Sequence, residues 1–291
     1  MTNCLNGLIN QTFPHFNIIV VDDNGKIPVS NTIEKFRTKL SITCLRNSEQ
    51  KGAAYSRNVA LDLINEGIIG LLDDDAVPFS NWVEEALRYF DFHPEISCIV
   101  GKINSLNKKS LLSKSRQRIY DDRDRFFKNP TTIEALGSKF KNRYPWNTLP
   151  ADYISGGNAW IRYMENIRFP NDILWGHDHA FARKIMESGN LIAYDPDLQI
   201  YHDHEHRFFH CMIKGFKHGY YSELGKAETR DADKLYKTLS PAWKQLLKKP
   251  TREIPLENIL EPFHKRIILS FLTFVYYSGV YLAKRKKLKK A

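Results

Sequence analysis

Cysteine is scarce in this chain: four residues, Cys4, Cys44, Cys98 and Cys211, with no CxxC pair among them. That spacing excludes a dense disulfide framework and a cysteine zinc site, and predicts reduced thiols in a reducing cytosol. The first residues lack the basic-then-apolar pattern of a signal peptide. Internal repeats and low-complexity segments are absent. No nucleic-acid module or aromatic-basic sheet pattern occurs, so nucleic acid is not an expected partner. Acidic residues are missing altogether from residues 264–291, which hold eight Lys/Arg.

What is present begins with the triplet Asp73-Asp74-Asp75, which ends the apolar run Ile68-Ile69-Gly70-Leu71-Leu72. A short Ile/Leu run closed by Pro78 reads as a buried strand of a parallel sheet. Carboxylates at the carboxyl end of such a strand lie at the edge where open α/β sheets bind ligands. Asp73 and Asp75 share one side of an extended backbone, which suits Mg²⁺ or Mn²⁺ held with substrate phosphates. The triplet would serve equally as a solvated turn or as an N-cap before Trp82. A second apolar strand, Phe16 to Val21, ends in Asp22-Asp23-Asn24-Gly25. Between the two lie a helix over Thr32 to Lys39, a strand over Ser41 to Arg46 and a helix entered through Gly52, which is a doubly wound nucleotide-binding layout.

Six segments stand in order: NQTFPHFNIIVVDDNG, NSEQKGAAYSRNVA, LLDDDAVP, SGGNAWIR, WGHDHAFARK and IYH. Their order and spacing resemble the family 2 glycosyltransferases over roughly residues 5–210. The resemblance implies a GT-A, Rossmann-like α/β fold, a mixed and mostly parallel sheet flanked by helices. It places a nucleotide-sugar-binding and catalytic domain over 1–210 and a C-terminal helical region with a basic tail over 211–291. The implied activity is metal-dependent, inverting transfer of one sugar from a nucleotide sugar, UDP-linked, to a glycan or lipid-linked acceptor. Donor-binding residues would be Asp22, Asp23, Arg57, Asp73, Asp74 and Asp75. Asp75, Asp73 and His202 would hold the metal. Asp178 would be the general base, since the attacking hydroxyl must lose a proton. It also suits an N-cap of the helix over Ala180 to Ile185. Gly156, Gly157, Asn158, Trp175 and His177 would line the sugar and acceptor.

Several features depart from the family pattern. His177 stands where the family has a glutamate. The chain begins in the helix that follows the family's first strand, so unpaired strand edges at mid-sheet are expected. The QxxRW segment of processive synthases is absent, which points to one sugar per encounter. A sugar nucleotidyltransferase would need a Gly-rich, basic N-terminal loop that this chain lacks, and a non-catalytic relic of the fold is the other alternative. His202, His204 and His206 alternate, which would put three imidazoles on one face of a strand; the family pattern has a single histidine there, matched by His202.

The net charge of +10 is concentrated. Residues 102–143 hold twelve Lys/Arg against four Asp/Glu. Within it, Arg116 to Arg125 mixes with Asp121, Asp122 and Asp124 as a solvated helix face would. Residues 267–283 are 17 in a row without a charge, bounded by Lys265-Arg266 and by Lys284 to Lys290. That length is the lower limit for crossing a bilayer. Flanking cations and the tyrosines predict a helix lying at an anionic membrane surface, attached peripherally to its cytoplasmic face. A buried C-terminal helix fits the same residues.

Overall fold

The structure, a computed structural model, describes residues 1–106, 111–139, 144–145, 148–171, 176–202, and 277, 278 and 281. The chain divides into two units, Met1–Lys108 with Arg116–His204, and Lys109–Ser115 with Glu205–Ala291. The site lies in the first.

Helix α1 (Thr2–Ile9) buries Cys4, Leu5 and Leu8 on one face. Strand β1 (Ile18–Asp22) pairs in parallel with β2 (Ile42–Arg46), and the chain between them forms α2 (Ser30–Ile33) and a 3-10 turn (Glu34–Phe36). The helix expected over Thr32 to Lys39 is therefore shorter and breaks into a 3-10 turn. Helix α3 (Ala53–Leu61) leads to β3 (Ile68–Leu72) and the short β4 (Ala76–Pro78). Helix α4 (Trp82–Phe92) buries Trp82, Val83, Ala86 and Phe90, an apolar stripe at helical spacing. There follow β5 (Ile96–Ser105), α5 (Leu111–Phe127), α6 (Pro130–Lys139), β6 (Leu149–Ala151), β7 (Asn158–Arg162), α7 (His177–Glu187) and β8 (Leu191–His202).

The mixed α/β fold expected from the sequence is present, and the sheet order shows how the site is positioned. A six-stranded sheet runs β3-β7-β5-β8-β4, with β6 also on β8; β1 and β2 form a separate pair. The β1–β2 and β5–β8 pairings are parallel and the other four antiparallel. Strands β5 and β8 run through the core, with Ile96, Cys98, Ile99, Val100, Ile192, Ala193 and Ile200 all inaccessible to solvent. Strand β3 is only half-buried, with Gly70 exposed, and pairs antiparallel with β7, where the sequence reading expected a buried strand of a parallel sheet. Its one partner among the described residues is β7, and β1 likewise pairs only with β2, so each strand has one ladder edge without a partner there.

Cys4 and Cys98 are buried free thiols and Cys44 is half-buried. Burial pushes the Cys4 thiol up to about 12, and Cys98 well above its ordinary value. Cys211 lies outside the described residues, as do His204, His206, Trp175 and nearly all of the region from 211 onward. No helix among the described residues is long and apolar enough to cross a membrane.

Candidate active site

The acidic triplet follows β3 and turns the chain into β4. Because β4 pairs with β8 in the register Ala76 to His202, the end of β8 is brought beside the acids. Nε2 of His202 lies 3.4 Å from Asp73 Oδ2 and 3.3 Å from Asp75 Oδ1. One ligand atom from each of the three lies within 4.8 Å of the others, a donor set suited to a hard divalent cation. Burial raises the Asp75 carboxyl above its ordinary value; His202 opposes this, while Asp73 and Asp74 add to it. Asp74 turns outward, its carboxylate exposed and 3.7 Å from the amino group of Met1.

Arg57, on α3, joins this acid end to a second charged group. Its Nη2 lies 3.3 Å from Asp73 Oδ1, and its Nη1 donates to Asp178 Oδ1 at 2.9 Å. The same Nη1 is 2.8 Å from Nε2 of His177, which in turn lies 3.2 Å from Asp178 Oδ1. That nitrogen can carry a proton toward Asp178 or a lone pair toward Arg57. Phe169 lies under the guanidinium, 5.3 Å from ring centroid to Cζ, and stacks on Phe181 at 3.8 Å. Asn58 fixes Phe169 by a reciprocal pair of 2.8 Å hydrogen bonds, its Nδ2 to the Phe169 carbonyl and the Phe169 amide to its Oδ1.

Helix α7 starts at His177 after Gly176, whose φ of 81° lies in the left-handed region that glycine adopts freely. Gly176, not Asp178, is the N-cap, so the capping expectation is corrected: Asp178 sits in the first turn, where a carboxylate faces the positive end of the helix dipole. Its Oδ2 accepts from the Gly156 amide at 3.1 Å. Burial alone would raise the Asp178 carboxyl. The hydrogen bond from His177, the Arg57 and His177 charges and the Gly156 amide outweigh it and hold the carboxyl well below its ordinary range.

Gly156 and Gly157 make room for these groups. A Cβ on Gly156 would lie 2.2 Å from Arg57 Nη2, and one on Gly157 would lie 2.5 Å from Asp73 Oδ2. Asn158 is different: its side chain faces the core and not the Asp73–Arg57 group. The side chain is fully buried, donating from Nδ2 to the carbonyls of Lys102 (2.9 Å) and Leu198 (3.0 Å) and accepting from Trp82 Nε1 (2.8 Å). Both amide protons and the amide oxygen are engaged in tying β5, β7, β8 and α4 together.

Asp22 and Asp23 also serve the fold first. Asp22 is buried, paired with Arg46 directly across the β1–β2 register, and accepts from the Gly25 amide at 3.0 Å and the Val29 amide at 3.2 Å. Asp23 accepts from Asn47 Nδ2 and from the amides of Lys51 and Gly52, at 2.8 to 2.9 Å. Burial would raise both carboxyls, but these donors lower them. Together they fix the turn after β1 and the entry to α3, and through α3 the position of Arg57. Arg46, Asn58 and Phe169 were not identified from sequence. Asn58 stood in a recognised segment without an assigned role, whereas nothing in the local spacing marks Phe169.

An acid–histidine cluster, an arginine spanning to a second carboxylate and a glycine pair that admits both are grouped at one end of a mixed sheet. Known proteins share the fold. The chain is 24% identical over 190 residues to the pre-mycofactocin glycosyltransferase of Mycobacterium tuberculosis, an alignment covering 64% of this chain and 37% of that protein. Among solved structures it resembles the mannosyltransferase PcManGT from Pyrobaculum calidifontis in complex with GDP-Man and Mn²⁺, with a TM-score of 0.61, 15% identity, and coverage of 98% and 83% of the two chains. It also resembles Staphylococcus aureus TarS 1–349 in complex with UDP, with a TM-score of 0.52 and 14% identity, covering 100% of this chain and 88% of the other. These likenesses show the GT-A glycosyltransferase fold. The description of glycosyl transferase family 2 matches residues 1–164, more than half of the sequence, and the chain belongs to that family.

Proposed function

We propose that this chain transfers one sugar from a nucleotide-linked donor, UDP-linked in our reading, to a glycan or lipid-linked acceptor hydroxyl with inversion at the anomeric carbon. The observation that carries this reading is that Arg57 touches Asp73 and Asp178 at once, so the donor-side acids and the candidate base share one cation. Asp73, Asp75 and His202 offer two carboxylate oxygens and an imidazole, a set that fits Mg²⁺ or Mn²⁺. Such an ion, when bound, supplies positive charge to the departing diphosphate.

The remaining roles fall to the chain itself. Arg57 presents a planar guanidinium to phosphate oxygens, a geometry that an ammonium cannot copy. Asp178 takes the proton from the acceptor hydroxyl. With its carboxyl held low by Arg57 and His177 it is a weak base, and a donor diphosphate that draws the Arg57 charge toward itself makes it stronger. Asp22 and Asp23 hold the turn and the α3 entry that aim Arg57. Gly156 keeps the guanidinium's place open.

The test is nucleotide-sugar turnover with Mn²⁺ by the wild-type chain and by Asp75→Ala and Asp178→Asn. Each substitution should cut turnover about a hundredfold or more, the scale of losing a metal or a general base. Near-full transfer by Asp178→Asn would remove Asp178 from the base role. A second reading, a fold that binds nucleotide without turnover, is favoured by the single-sided pairing of β1 and β3 among the described residues. Nucleotide binding with no turnover of any donor would support it.

A further inference from the structure

Away from the candidate active site, on the face of β8 that packs against α4, lies a second group of acids. Glu85 on α4 is buried, Asp195 on β8 is 4% exposed, and Asp197 is open to solvent. One oxygen from each lies within 4.8 Å of the others. Their meeting is produced by an irregularity in the β5–β8 ladder. Gly101 pairs with Asp195 but Lys102 with Gln199, so residues 196–198 are pushed out of register. Asp195 and Asp197 therefore approach α4 together.

Charge here is not balanced. Arg88 pairs with Glu85, and three carboxylates face that one guanidinium. Asp195 Oδ1 accepts from the Asp197 amide at 2.9 Å, but its Oδ2 is buried with no hydrogen-bond partner. A buried carboxylate oxygen without a partner is costly, and native proteins rarely leave one so. One helical turn beyond Glu85, the Tyr89 hydroxyl is also buried without a partner, and the charge of Asp195 reaches it. All the donors offered are oxygens, and the exposed Asp197 leaves room for solvent ligands.

We propose that Glu85, Asp195 and Asp197 form a structural binding site for a hard divalent cation of the calcium type, which fastens α4 to the out-of-register segment of β8. Calcium accepts irregular sets of six to eight oxygens, whereas magnesium demands near-octahedral geometry and sheds water reluctantly. The site is separate from the Asp73, Asp75 and His202 cluster and does not depend on the transfer reaction.

The experiment uses the full chain, stripped with EDTA and then titrated with CaCl₂, followed by calorimetric binding and thermal melting. The wild type should bind Ca²⁺ and melt about 2 °C or more higher when it is saturated. Asp195→Asn should weaken Ca²⁺ about tenfold or more, the lower end of what even outer-shell partners of a metal contribute. Asp197→Asn, at an exposed position that should not disturb folding, should also weaken it. The double variant Asp73→Asn/Asp75→Asn should retain the calcium response. Wild-type affinity in Asp197→Asn would overturn the proposal, as would loss of the response in the Asp73/Asp75 double variant. So would a wild type indifferent to millimolar Ca²⁺; an Asp195→Asn form more stable in EDTA would then show a proton held among the acids in place of the cation.

Discussion

Replacing Gly156 with alanine tests whether the site depends on where Arg57 is held. Gly156 is not in the left-handed backbone region, so the new methyl adds bulk without backbone strain. That methyl would lie 2.2 Å from Nη2, 2.4 Å from Cζ and 2.7 Å from Nη1 of Arg57, where ordinary contact begins at 3.4 Å. The guanidinium must therefore retreat by about 1 Å or more, enough to lengthen a 2.9 Å bond to Asp178 beyond hydrogen-bonding range. Arg57 is a long side chain and can move, so the fold should survive. The two ion pairs at stake are partly solvated, and their loss should cost about 1 kcal/mol in stability. Activity should suffer more, because losing one preorganised donor to developing charge costs about a hundred- to a thousandfold, or about 3–4 kcal/mol. The assay compares Mn²⁺-dependent turnover and melting of Gly156→Ala, Arg57→Ala and the double variant. If both single changes act through the guanidinium, the double variant should be no worse than Arg57→Ala, since coupled residues are not additive. Turnover by Gly156→Ala within threefold of wild type, or full additivity in the double variant, would refute the reasoning.

Two further outcomes follow from other parts of the chain. Asn158→Ala removes the partner of the Trp82 indole and of two buried carbonyls, so it should lower stability by about 3 kcal/mol or more, read from denaturant unfolding, while any folded fraction keeps its affinity for nucleotide. A stable variant with weakened sugar binding would instead put Asn158 in the site. For the basic tail, which lies outside the described residues, the full chain should co-sediment with anionic but not neutral vesicles, and a chain ending at Glu261 should remain in the supernatant. Each cation near an anionic leaflet adds about 1 kcal/mol of attraction, so equal recovery of both chains would sink the membrane proposal.

Part of the candidate site was legible in the strand pattern, which locates Asp73 and Asp75, while Arg57, Asp178 and His202 were legible through the resemblance to the family's segments. Asp73 and Asp75 end one strand, His202 ends another, and Asp178 lies in the first turn of a helix. What spacing cannot give is the partner across the fold. The Arg46 partner of Asp22 became visible only when the β1–β2 register placed it opposite. Asn158 was named because the segment Gly156-Gly157-Asn158 resembles the family's sugar-lining segment, and its two glycines do border the candidate site. Its amide is instead engaged by Lys102, Leu198 and Trp82, partners that only the folded chain supplies. Phe169 and the Glu85, Asp195 and Asp197 group were invisible because their members converge only through tertiary packing.

The parallel pairing of β5 with β8 also bears on how the molecule is assembled in time. Ile96 meets Leu191 and Ser105 meets His202, contacts between segments far apart along the chain. Such pairings are slow, because a long loop must close before any of its bonds form. During synthesis, strands β1 to β5 leave the ribosome well before β8 exists. The carboxylates at the end of β3 must wait for His202, and Arg57 must wait for Asp178. The stretch matched by the family, residues 1–164, ends before either partner is made. A nascent chain of that length would carry the recognisable signature of the family and neither of these contacts.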